Sequence, residues 1–317
     1  MRVIYGLRGF KKFAKAAVLA IGVFDGLHIG HIKIIKKAVR DAKRLKIKSV
    51  VLTFDPHPIK ILCPKNSGVP SLISVNHRIK LIEKLGVDIL VVMNFNRALA
   101  VLAPGDFVKK LLVRKLGVRE VCVGENFYFG KGGAAGVKDL DKLGRSFGFK
   151  VSVVKPVRIG RAIVSSSLIR KLITSGELRK ASKLLGRRVS ALGTVISGAR
   201  LARELGYPTA NLNPHHEVIP PGGVYAVFVR FKGKTYKGVL NIGLRPTFYS
   251  PRDRESAVEV HIFDFKEKIY GHDLEVFFVK KLRDEVAFAG KNGLVKQIKK
   301  DEKAARNALK RASIDCS

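Results

Sequence analysis

His28 and His31 stand three residues apart in the stretch Gly22-Val23-Phe24-Asp25-Gly26-Leu27-His28-Ile29-Gly30-His31, where an apolar run gives way to an amphipathic one. Two imidazoles at such a junction can donate hydrogen bonds to an α-phosphate as negative charge builds during attack on phosphorus. The place suits that chemistry, because the first N–H groups of a helix are unpaired and its dipole is positive there. Gly30 removes a side chain where a phosphate would approach. A turn with two solvated histidines is the other reading of a bare His-x-Gly-His, and the flanking Gly-x-Phe-Asp-Gly weighs against it.

A second polar constellation lies at Gly206-Tyr207-Pro208-Thr209-Ala210-Asn211. Pro208 pre-sets the backbone so that the Thr209 hydroxyl and the Asn211 amide face one ligand; a plain turn is the alternative. Further on, the alternation of Val258-Glu259-Val260-His261-Ile262-Phe263 sends Glu259, His261 and Phe263 to one face of a strand. A carboxylate among strand residues is by itself readable as merely surface-exposed.

These residues need elements to hold them. Apolar runs Val18–Phe24, Lys48–Phe54, Val87–Phe95, Val118–Gly124 and Phe149–Val154 predict strands. Amphipathic stretches Ile32–Lys46, Asn76–Leu85, Asp106–Leu116 and Val137–Phe147 predict helices between them. Such alternation means a doubly wound parallel sheet, which binds ligands beyond the carboxyl ends of its strands. Two short helices follow, Ser166–Ser175 and Glu177–Leu185. Then strand-like runs recur without helices, at Leu192–Ser197, Val224–Phe231, Thr235–Leu240, Ala257–Phe265 and Leu274–Lys280, with a hairpin turn at Lys232-Gly233-Lys234. They predict a small antiparallel β-barrel, capped by a C-terminal helix over Gly293–Lys310. The domains are therefore expected at 1–186 and 187–317.

The chain has 317 residues, 46% of them hydrophobic, which suffices for two globular cores. No run is long enough to cross a bilayer. The cysteines Cys63, Cys122 and Cys316 are odd in number and widely spaced, which fits reduced thiols in a cytoplasmic protein and offers no zinc spacing. The formal charge of +36 attracts polyanions. Its spread over nearly every predicted helix favours a compositional bias of the source proteome over a dedicated nucleic-acid surface. No specific nucleic-acid or membrane partner is expected, and self-association is left open.

The string from Gly22 to His31 resembles the nucleotidyltransferase half of bacterial bifunctional riboflavin kinase/FMN adenylyltransferases, also called FAD synthetases. Three other segments continue the resemblance: Thr53-Phe54-Asp55-Pro56-His57-Pro58, Gly124-Glu125-Asn126-Phe127-Tyr128-Phe129-Gly130 and Ser165-Ser166-Ser167-Leu168-Ile169-Arg170. It implies that His28, His31 and Arg170 are catalytic, with Arg170 neutralising the departing pyrophosphate. It also implies that Gly22, Phe24, Asp25, Gly30, His57, Asn126, Arg161, Ser166 and Ser167 bind ATP or flavin.

The second half is similar to the riboflavin kinases through Gly206–Asn211, through Asn241-Ile242-Gly243-Leu244-Arg245-Pro246-Thr247-Phe248, and through Leu282-Arg283-Asp284-Glu285. The resemblance makes Glu259 the general base for the riboflavin 5′-hydroxyl. Thr209 and Asn211 would hold Mg²⁺ on ATP, with Gly198 and Arg283 also in the binding site. One departure stands in the phosphate loop, where Arg200 and Ala202 occupy places the family gives to glycine. The expected activity is phosphorylation of riboflavin to FMN followed by adenylyl transfer from ATP to FMN, giving FAD and pyrophosphate. The alternative is an FMN adenylyltransferase whose barrel only binds flavin.

Overall fold

The computed structural model describes residues 1–6, 16–63, 70–197, 207–244, 256–286 and 290–313. They form two compact units, Met1–Ser71 with Val75–Ser166, and Leu72–Ser74 with Ser167–Ser317. Gly198, Arg200, Ala202, Gly206 and the segment 245–248 lie outside the described residues.

In the first unit six strands, β1 (Arg2–Tyr5), β2 (Ala17–Ile21), β3 (Lys48–Asp55), β4 (Ile89–Asn94), β5 (Val118–Gly124) and β6 (Lys150–Val154), form one sheet in the order β1-β4-β3-β2-β5-β6. Every pairing is parallel. The chain winds outward from β2 through β3 to β4, then returns to lay β5 against the other side of β2. Strand order reverses between β2 and β5, so the crevice at their carboxyl ends is the natural ligand site. Leu19, Leu52, Val91 and Val121 are buried from solvent, and helical residues Leu112 and Leu140 cover that side of the sheet. Burial on both faces is why these strands read as unbroken apolar runs.

The departures from expectation have local causes. The strand expected to Phe24 stops at Ile21, because Phe24 and Leu27 take left-handed φ values of 52° and 39°. The helix Ile29–Arg44 starts three residues earlier than its apolar pattern, since His28 caps it. The stretch expected as an α-helix at Asp106–Leu116 is a π-helix, Phe107–Lys115, and the Leu116 N–H bonds the Leu111 carbonyl at 3.0 Å. Helices Val75–Glu83 and Val137–Phe147 agree with their patterns. Strand β1, four residues at the sheet edge, gave no readable signal.

A two-stranded hairpin, β7 (Arg158–Ile159) and β8 (Ala162–Ile163), precedes the helices Ser166–Thr174 and Leu178–Leu185. The barrel follows with β9 (Ser190–Ile196), β10 (Ala210–Asn213), β11 (Gly223–Phe231), β12 (Lys234–Leu244), β13 (Ser256–Ile262) and β14 (Asp273–Arg283). It closes in the order β10-β13-β12-β11-β14-β9, antiparallel throughout. Lys232 and Gly233, at φ 46° and 80°, make the two-residue hairpin between β11 and β12. The last helix, Lys291–Lys310, buries Ala305 and Leu309 against Val224, Ala226, Phe228 and Phe277. Strand β10 was missed because it has only four residues.

Candidate functional site

The turn after β2 is built around rings. A Cβ at Gly22 would lie 2.9 Å from the Phe24 ring, so glycine there makes room for a buried phenylalanine. Phe24 meets His31 edge-on at 5.4 Å between centroids. Nδ1 of His28 accepts the His31 backbone N–H at 3.3 Å, which makes His28 the cap of its helix. The two imidazoles stack with centroids 3.5 Å apart. Since Nδ1 is the acceptor, Nε2 is the nitrogen of His28 that carries the proton. Gly30 has a reason the sequence did not reveal: a Cβ there would press on the His28 ring at 3.1 and 3.2 Å.

A cavity of about 860 Å³ opens at this turn. Its polar end is formed by Gly22, Phe24, Asp25, His28, Gly30 and His31, all expected in the site, joined by His57, Asn126 and Ser166. The Ser166 hydroxyl donates to the Asp25 carbonyl at 2.8 Å, tying the start of its helix to the histidine turn. His57 caps the short helix Pro58–Leu62 by accepting the Ile59 N–H at 3.2 Å on Nδ1. Lys155, at the exit of β6, contributes positive charge.

The opposite wall is aromatic. Phe127 stacks on Phe129 at 5.7 Å, and Phe54 meets Phe95 edge-on at 5.7 Å. Phe95, Leu99 and Phe107 were not anticipated; they come from the exit of β4 and the first turn of the π-helix. The rule that ligands bind past the carboxyl ends of parallel strands was the signal for Phe95. Arg161, Ser167 and Arg170 are not among the residues lining the cavity. Arg161 is exposed in the turn between β7 and β8, while Ser167 and Arg170 stand farther along the helix that Ser166 opens.

In the barrel, Glu259 lies in register with Asn211 on one neighbouring strand and Asn241 on the other. Nδ1 of His261 donates to the Pro208 carbonyl at 2.8 Å, and Tyr207 packs on the His261 ring at 5.5 Å. Those contacts fix the entry to β10, and with it Thr209 and Asn211. A hydroxyl, a carboxamide oxygen and one adjacent carboxylate form a hard donor set that fits a divalent cation retaining several waters. A Cβ at Gly243 would collide with a carboxylate oxygen of Glu285, so glycine there lets that side chain lie beside Asn241. Sequence spacing gave no hint of this, because β12 and the end of β14 meet only through the barrel. Arg283 is held by Asp301, through Nε at 3.0 and 3.1 Å and Nη2 at 2.7 Å, and its Nη1 donates to the Asp284 carbonyl at 2.9 Å. It joins β14 to the last helix.

Asp41, Glu120 and Cys122 bring metal-ligating atoms within 4.8 Å of one another. The carboxylates there already have cationic partners: Lys37 donates to Asp41 at 2.6 Å and approaches Glu120 at 3.7 Å, Arg44 lies 3.9 Å from Asp41 and 4.0 Å from Glu120, and Ser152 donates to Glu120 at 2.6 Å. Burial and the Glu120 carboxylate push the Cys122 thiol up to about 12, so it stays protonated and is a poor metal ligand.

Comparison with known proteins gives one consistent picture. The FAD synthetase family pattern matches residues 10–168, and the riboflavin kinase pattern matches residues 185–309. A bifunctional riboflavin kinase/FMN adenylyltransferase of Buchnera aphidicola subsp. Schizaphis graminum is 35% identical, over 95% of this chain and 96% of its own. One from Listeria monocytogenes is 39% identical over 91% of each. A solved structure from Streptococcus pneumoniae, described as a macrolide-efflux protein, superposes with a TM-score of 0.84 at 29% identity, covering 97% of this chain and 99% of that one. Among the described residues here, no helix is long and apolar enough to cross a membrane.

Proposed function

The chain belongs to the bifunctional riboflavin kinase/FMN adenylyltransferase family, and from that membership we infer how its two units divide the work. The enzyme phosphorylates riboflavin to FMN and adenylylates FMN to FAD. One observation carries the division: each unit has its own polar cluster, His28 with His31 in the first and Glu259 between Asn211 and Asn241 in the second. No finding favours a silent kinase, since the riboflavin kinase pattern runs through the whole barrel. We assign residues 1–186 to adenylyl transfer and 187–317 to the kinase.

For adenylyl transfer, an FMN phosphate oxygen attacks the α-phosphorus of ATP and pyrophosphate leaves. The Nε2–H of His28 and the stacked His31 stabilise the charge that develops, in a site where donors are fixed before reaction. The helix N-terminus at Ser166 and the side chains of Ser167, Arg161 and Arg170 take the β- and γ-phosphates. Asn126 and His57 bind the nucleotide or flavin. The aromatic wall of Phe54, Phe95, Phe127 and Phe129 supports a flat, apolar isoalloxazine. Positioning and electrostatics supply the acceleration, with no protein nucleophile.

For the kinase, Glu259 accepts the proton of the riboflavin 5′-hydroxyl as it attacks the γ-phosphorus. Thr209 and Asn211 are the groups that would hold Mg²⁺, whose chemistry is to neutralise ATP phosphate oxygens. Arg283, braced by Asp301, is the residue assigned to contact phosphate or flavin. A cytoplasmic location is part of this reading, supported by the use of ATP and by an odd number of widely spaced cysteines.

Purified protein given riboflavin, Mg²⁺ and ATP should form FMN and then FAD, followed by chromatography. Given FMN and ATP it should form FAD directly. Absence of FMN in the first incubation removes the kinase assignment, and absence of FAD in the second removes the adenylyltransferase.

A further inference from the structure

Arg78 sits on the helix Val75–Glu83 with its side chain only 2% exposed, among the largest fully buried side chains of the described residues. A guanidinium is costly to bury and persists only where its N–H groups find acceptors. Nη1 of Arg78 spends its two hydrogens on consecutive residues of β3, the Thr53 hydroxyl oxygen at 3.0 Å and the Phe54 carbonyl at 3.0 Å. The Thr53 hydroxyl, itself fully buried, passes the interaction on by donating to the Val23 carbonyl at 2.8 Å. A hydroxyl that accepts from a cation becomes a stronger donor. One buried charge thus grips two strand exits, that of β3 at Phe54 and that of β2 at Val23.

Both exits face the 860 Å³ cavity. Phe54 is part of its aromatic wall, and Val23 precedes Phe24, whose ring edge rests on His31 at 5.4 Å. Phe24 holds a left-handed backbone, φ 52°, that a non-glycine residue keeps only when its surroundings enforce it. The fixed Val23 carbonyl is part of that enforcement.

We propose that Arg78 is a positioning residue for adenylyl transfer: through Thr53 it sets the Phe24 and His31 turn against the Phe54 wall, and so fixes the distance between catalytic groups and flavin. It does not touch substrate. The inference rests on the adenylyltransferase reading of this cavity.

The test uses the full-length enzyme with FMN and ATP, and reads KM for FMN separately from kcat. Thr53→Val breaks the link while keeping the buried volume, and Thr53→Ser restores the hydroxyl; Arg78→Lys keeps the charge but loses the planar fork. Riboflavin phosphorylation by the same chain and the thermal midpoint report whether the protein is folded. Partial unfolding lowers only the active fraction, hence kcat, whereas misplacement of the wall raises KM. We expect Thr53→Val to raise KM for FMN about ten-fold, and to lower kcat/KM by up to about a hundred-fold, the scale of a misplacement by about 1 Å. Thr53→Ser should return KM to the wild-type value, and Arg78→Lys combined with Thr53→Val should add little to either alone. An unchanged KM in folded Thr53→Val, or multiplying effects in the double variant, overturns the proposal. If Arg78→Lys does not fold, the Thr53 pair decides. A wild-type enzyme that makes no FAD from FMN refutes the underlying reading instead.

Discussion

The backbone N–H of His31 donates to Nδ1 of His28, so the imidazole proposed for catalysis also caps a helix. The two duties can be separated by substitution. Asparagine is a strong helix cap without an imidazole N–H. His28→Asn should keep the thermal midpoint of the first unit and lose FAD formation, whereas His28→Ala should lose activity together with about 1 kcal/mol of stability. Calorimetry alongside an FAD assay distinguishes them; equal destabilisation of both variants would show that the cap contributes nothing.

The two activities should fail independently. Glu259→Gln should reduce riboflavin phosphorylation by roughly 10²- to 10⁴-fold, the usual contribution of a general base, and leave FMN adenylylation intact. His31→Ala should do the reverse. Steady-state assays of each half-reaction check this, and parallel loss of both in either variant would mean that the sites are not separate.

How much of this could be read from the residues alone depended on how local the cause was. The strand and helix alternation, the hairpin at Lys232-Gly233 and the histidine turn are written in neighbouring residues and were legible. Arg78 was not, because an arginine on an amphipathic helix reads as surface, and its burial depends on Thr53 and Phe54 on another strand. Gly30 and Gly243 were recognisable as glycines but not for what they admit, the His28 ring and the Glu285 carboxylate. Such space is a property of the folded chain.

Acid should weaken the first unit through Asp88. Burial raises its pKa, but hydrogen bonds from Lys48 and from the hydroxyl and N–H of Ser49 outweigh that and hold the carboxyl below its ordinary value. A carboxylate with a depressed folded pKa stabilises fully above its unfolded pKa, about 4, and that contribution is lost as pH falls through the folded value. The stability difference between wild type and Asp88→Asn, measured by urea unfolding, should therefore shrink below about pH 4. A difference independent of pH from 7 to 2 would contradict the assignment.

Thiol chemistry should separate the two described cysteines. Cys63 is exposed, while Cys122 is buried and its thiol is pushed up to about 12. Brief treatment with iodoacetamide at about pH 8, followed by peptide mass analysis, should find Cys63 alkylated and Cys122 untouched until denaturant is added. Early modification of Cys122 would show that the sheet opens on the labelling timescale.

The closure of the barrel also sets an order of maturation on the ribosome. Strand β14 must pair with β9, Asp273 opposite Thr194, before the second unit has a complete wall. The six strands of the parallel sheet are complete once residue 154 has emerged, and all residues assigned to adenylyl transfer once residue 186 has. At about 5 to 20 residues per second, that gap amounts to several seconds or more of synthesis. On the division proposed above, the part assigned to the later reaction is thus the first to be finished, and a nascent chain stalled between the two points should use FMN without being able to make it.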